Sequence, residues 1–61
     1  MSIRMVAIEL YRVIKEIERL ERKLEGLRPE VPEREGCERE LFKARAEHAR
    51  LKSMLDGAKD N

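Results

Sequence analysis

Tryptophan is absent from this chain, and tyrosine, phenylalanine, cysteine and histidine each occur once among its 61 residues. Each scarcity removes a class of protein. The single cysteine, Cys37, cannot close an internal disulfide, so no disulfide framework compensates for the small size. The one Cys/His pair cannot share a metal: Cys37 and His48 stand eleven residues apart on one predicted helix. That spacing is about 16 Å along a helix, whereas zinc ligands lie about 2 Å from the ion. No Gly-rich phosphate loop and no pocketed pair of carboxylates is present, and Arg45 stands three residues before His48, where a di-iron bundle needs glutamate. The expectation is a non-enzymatic chain with no metal, no cofactor and no small-molecule substrate.

Charge of one sign is also lacking. Fourteen basic groups face thirteen acidic ones, for a net charge of +1, which gives no electrostatic case for nucleic acid or an anionic membrane. Long apolar runs are missing too. The N-terminal stretch from Met1 to Ile14 is rich in apolar residues, but Glu9 interrupts it. It is too short and too charged to cross a bilayer, and no small-residue cleavage pattern follows it. A reduced, cytoplasmic setting is therefore expected.

What the chain does have is charge and period. Charged residues make up 44% of it. With so few aromatics that share would suit a disordered segment, were the apolar residues not so regularly spaced. Ile3, Val6, Leu10, Val13, Ile17, Leu20, Leu24 and Leu27 step alternately by 3 and 4, the signature of a helix with one buried seam. The first helix is expected over 3–25, with Ser2 as its N-cap. Gly26 is expected to end it in the left-handed conformation, with Leu27 supplying the apolar contact of the cap.

Pro29 forbids a continuous helix, so 26–31 reads as a loop. Pro32 suits the first position of a second helix, and Glu33 and Glu35 sit well near its positive end. Gly36 weakens that first turn by up to about 1 kcal/mol, so a frayed start is expected. The second helix is expected over 32–56, stopped by Gly57, with a flexible tail over 57–61. Its inward residues are Cys37, Leu41, Ala44, His48, Leu51, Leu55 and Ala58.

The two seams fit one another if the chain folds back on itself. Seven layers result: Ile3 with Ala58, Val6 with Leu55, Leu10 with Leu51, Val13 with His48, Ile17 with Ala44, Leu20 with Leu41, and Leu24 with Cys37. The fold class is thus all-α, a single-domain antiparallel hairpin. His48 reads as a polar residue that fixes register, with a metal ligand, base or pH switch as the alternative. Cys37 reads as a small core residue rather than a reactive thiol, since Glu35, Glu38 and Glu40 oppose a thiolate. Across the seam, Lys23 is expected near Glu40 and Glu16 near Glu47.

One seam does not account for all the apolar residues. Ala7, Ile14, Tyr11, Ile8 and Met5 lie outside it on the first helix. Met54 and Phe42, the latter with Ala46 and Ala49, lie outside it on the second. Burying one Ile or Phe is worth roughly 1.5–3 kcal/mol, a large share of what so short a chain can gain. The expected solution is a second copy of the hairpin, giving a two-fold homodimer of four helices that acts as an adapter or regulator. The alternative is a different protein docked on the N-terminal apolar face.

Arg12, Lys15, Arg19 and Arg22 form one basic stripe on the first helix. Glu9, Glu16, Glu18 and Glu25 flank it, and Arg12–Glu16 and Glu18–Arg22 are expected to pair one turn apart. It reads first as a solvated face and second as a nucleic-acid contact. The overall plan, a hairpin of about sixty residues dimerising into four helices, resembles that of the plasmid copy-number Rop proteins, which bind RNA hairpins. The resemblance lies in architecture, carries no residue motif, and implies RNA as the alternative partner.

Overall fold

The computed structural model describes residues 2–59, as two helices, α1 (Ile3–Glu25) and α2 (Pro32–Lys59). They pack against each other as a hairpin about 48 Å long and 14 Å across. Local signals set the start of α1. Ser2 is extended, with φ −79° and ψ 154°. Its Oγ accepts a hydrogen bond from the Met5 amide at 3.2 Å, satisfying one of the free donors of the first turn.

The end of α1 differs from expectation. Gly26 is not left-handed: its φ is −84° and its ψ −7°. The helix tightens instead. The Gly26 amide donates to the carbonyls of Lys23 at 3.1 Å and Arg22 at 3.3 Å, and the Leu27 amide donates to Leu24 at 3.1 Å. This short-range bonding is the 3₁₀ alternative for closing a helix. A reversed backbone is not needed because a side chain serves the last carbonyls. Arg34 Nη1 donates to Leu24 O at 3.3 Å and Leu27 O at 3.0 Å.

Pro29 holds the second position of a turn closed by the Val31 amide donating to the Arg28 carbonyl at 3.1 Å. Helix α2 then starts at Pro32 as expected. It runs unbroken through Gly36, where a frayed start was expected, and continues past Gly57 to Lys59 rather than stopping at Asp56. No glycine among the described residues has a positive φ. A glycine costs a helix only about 1 kcal/mol relative to alanine, and no proline follows Gly57 to enforce a stop. Gly57 to Lys59 of the expected tail are thus helical, and Asp60 and Asn61 lie outside the described residues.

The core lies toward the loop. Leu20, Cys37 and Leu41 are buried together, with Ile17, Leu24, Leu27 and Ala44 packed around them. The buried Cys37 Sγ donates to Leu20 O at 3.5 Å across the seam. Toward the free end, Val6 and Leu51 are buried, while Leu10, Val13, His48 and Leu55 are half-buried. The outermost layer is open: Ile3 is 52% exposed and Ala58 is exposed. A methyl group opposite Ile3 is too small to cover it.

Candidate interaction face

The heptad places each side chain by angle, since successive residues turn by about 100° around the axis. Ala7, Tyr11 and Ile14 lie on one flank of the α1 seam, with Ile8 at their outer edge. The cross-helix bond from Arg45 Nη2 to Glu21 Oε2, 2.9 Å long, marks the same flank of the hairpin. On that flank α2 presents Arg45, Lys52 and Asp56 beside the free half of α1, with Phe42 nearer the loop. Tyr11 is 62% exposed, and Ile8 and Ile14 are also exposed. Lys15 Nζ stands 5.4 Å from the Tyr11 ring centre, within range of a cation–π contact.

The seven residues expected at a partner interface, Met5, Ala7, Ile8, Tyr11, Ile14, Phe42 and Met54, are all exposed, but they form three patches. Ala7, Ile8, Tyr11 and Ile14 make the first. Met5 and Met54 fall on the opposite flank of the hairpin, where Arg50 Nη1 lies 3.7 Å from Met54 Sδ. Phe42, at 75% the most exposed large apolar side chain described, stands on α2 on the Arg45 flank, where it shares a hollow with Leu24, Arg34 and Arg45 toward the loop.

The basic stripe is largely compensated within α1. Arg12 pairs with Glu9 at 3.1 Å, Lys15 lies 4.0 Å from Glu18, and Arg19 takes Glu16 with two nitrogens. These are contacts three residues apart, in place of the expected Arg12–Glu16 and Glu18–Arg22 pairs. Fork geometry explains the Arg19 choice, since one guanidinium presents two parallel donors to one carboxylate. On α2, Arg50 holds Glu47 in the same way. Hydrogen bonding to Arg19 holds the Glu16 carboxyl below its ordinary range, and Arg50 does the same to Glu47. The guanidinium groups of Arg19 and Arg50 are raised in turn. No salt bridge joins Lys23 to Glu40 among the described residues; Arg19 instead feels the Glu40 charge.

Arg34 has the most structural work among the polar residues. Besides the carbonyls of Leu24 in α1 and Leu27 just after it, it pairs through Nε with Glu38 at 3.0 Å. It was not singled out from the sequence, although a signal was there. A cation in the first turn of a helix opposes the helix dipole, so it needs a partner elsewhere.

Cys37 is in the core and His48 is half-buried in the Val13 layer. Among the described residues no group of three His, Cys, Asp or Glu side chains is placed to hold a metal ion. No described helix is long and apolar enough to cross a membrane. A hollow of about 480 Å³ lies against Glu21, Leu24, Glu25, Arg34, Leu41 and Arg45. It is an open groove beside the seam, with charged rather than apolar walls, unlike a small-molecule site. A second of the same volume lies on α1 against Arg4, Ala7, Ile8, Tyr11 and Arg12. No protein-family model, curated protein or solved structure matches the chain.

Proposed function

We propose that this chain is a non-enzymatic helical interaction module that works as a homodimer of four helices, as an adapter or small regulator in the reducing cytoplasm. One observation carries the reading. The free half of α1 exposes Ala7, Ile8, Tyr11 and Ile14 as one apolar patch beside the seam. Patches of this kind mark association surfaces. The compensated basic stripe favours this role over RNA binding, because phosphate contacts need uncompensated positive charge.

Sedimentation equilibrium at micromolar concentration tests it. The expected mass is twice the 7.2 kDa of the chain. A mass equal to one chain overturns the homodimer and leaves the patch to a different protein.

A further inference from the structure

We infer that the two copies meet through α1 alone, antiparallel, on a two-fold axis passing beside Tyr11. This rests on the homodimer reading above and adds its contact surface and polarity. The ground is charge and size complementarity of one stripe with itself. Arg4, Tyr11 and Glu18 are spaced by seven residues. Residues a heptad apart drift only about 20° around a helix, so all three lie along one line. Arg4 stands about 10 Å before Tyr11 and Glu18 about 10 Å after it.

Reversing a second copy about Tyr11 sets each Arg4 against the other copy's Glu18. It also sets the small Ala7 against the large Ile14, and brings Ile8 over the aliphatic stem of Lys15. Every group meets its complement: cation to anion, small to large, ring beside ring. A parallel copy places Arg4 on Arg4 and Glu18 on Glu18, with Glu21 and Glu25 adding to the repulsion farther along. The helix dipoles agree, since antiparallel neighbours set opposite partial charges side by side.

The structure leaves this line open. Arg4, Ala7, Tyr11 and Ile14 are exposed. Arg4 forms no salt bridge among the described residues, and Glu18 has only the long 4.0 Å approach of Lys15. Beside Tyr11 this flank of α2 carries Lys52 and Asp56, and its one large apolar side chain there, Phe42, lies toward the loop with Arg45 and Leu24. Phe42 lies eight residues, about 12 Å, toward the loop from the level of Tyr11, and Met5 and Met54 are on the opposite flank, so all three stay outside the contact.

Charge reversal tests the inference on the full chain. Exposed ion pairs are worth a few tenths to about 1 kcal/mol, and the symmetry repeats this pair twice. Arg4→Glu or Glu18→Arg alone is therefore expected to weaken the dimer on the order of tenfold, and the double variant to restore it. Cross-linking gives an independent reading. In a Cys37→Ala background, Tyr11→Cys is expected to form a disulfide-linked dimer on mild oxidation, and Phe42→Cys is not. A dimer indifferent to both reversals, with Phe42→Cys linking and Tyr11→Cys not, overturns this contact while leaving the homodimer standing. A wild-type chain of monomer mass removes the homodimer itself.

Discussion

At the loop end, the hairpin satisfies itself. Leu20, Cys37 and Leu41 are closed over by Ile17, Leu24, Leu27 and Ala44. Arg34 bonds the carbonyls of Leu24 and Leu27, and Glu21–Arg45 spans the two helices. At the free end the same heptad continues, but the layers thin to half-buried residues and an exposed Ile3. No salt bridge crosses the seam there among the described residues, since all the others join groups on one helix. The large apolar side chains outside the seam on α1 all lie in this half. One repeat thus does two jobs. Near the loop it builds a core, and away from the loop it leaves large apolar side chains exposed.

The largest effect that can break this comparison is in the core. Leu20 is 1% exposed, and Leu20→Ala is expected to cost about 2–5 kcal/mol. Urea unfolding followed by circular dichroism measures it. Ile14→Ala is expected to be nearly silent when the protein is dilute and to lower stability increasingly as concentration rises, because its loss falls on association. If both substitutions cost the same at every concentration, the two ends are not different in kind.

Next in size is the polar lock at the loop. Arg34→Met keeps the aliphatic stem and removes the donors to Leu24 and Leu27. Hydrogen bonds from a charged group contribute about 1.5–3 kcal/mol, and this one is half-buried, so a loss of about 1–2 kcal/mol is expected. Amide exchange should show the loss concentrated between Leu24 and Cys37. Protection lost evenly along both helices would mean that the loop end is not a separate unit.

How much of this was legible beforehand follows the kind of force involved. The helices and their inward faces were readable because burial leaves a period in the sequence, and Leu20, Leu41 and Cys37 fall on it. The cap at Gly26 was misread because glycine permits the left-handed conformation without requiring it. What decided the backbone was Arg34, a tertiary contact with no periodic trace. Gly57 was misread for the same reason, as a helix tolerates a glycine that nothing forces to turn. The Arg19–Glu16 choice depends on side-chain rotamers, to which spacing is blind. The apolar face outside the seam was visible residue by residue, but its division into three patches required knowing which flank of α1 lies beside which flank of α2.

A smaller, opposite effect sharpens the comparison. Gly36 is helical and has nothing within 4 Å of an added Cβ, and the same holds for Gly57. Alanine at either site is expected to stabilise the hairpin by about 0.5–1 kcal/mol through lower backbone entropy in the unfolded chain. Gly36→Ala, next to the core, should raise the urea midpoint of the whole hairpin. Gly57→Ala should act on the last turn of α2 and show chiefly as slower amide exchange there. The reverse order would place the cooperative unit at the free end.

The smallest effect comes from the surface ion pairs. Glu16 and Glu47 are held below the ordinary glutamate value of 4.5 by hydrogen bonds from Arg19 and Arg50. A group lowered on folding adds stability that is present above its unfolded value and is lost as pH falls through its folded value. The contribution of these pairs is therefore constant at neutral pH and fades only below about 4.5. Both glutamate side chains are about half exposed, so salt screens them as well. Glu16→Gln and Glu47→Gln should each lower the urea midpoint slightly at pH 7, and the difference from wild type should shrink as pH falls below about 4.5 and the wild type loses the same charge. One pair sits on each helix and neither crosses the seam, so the two losses should add. A non-additive pair of losses would reveal a coupling between α1 and α2 outside the loop end, and with it a second place where the hairpin is locked.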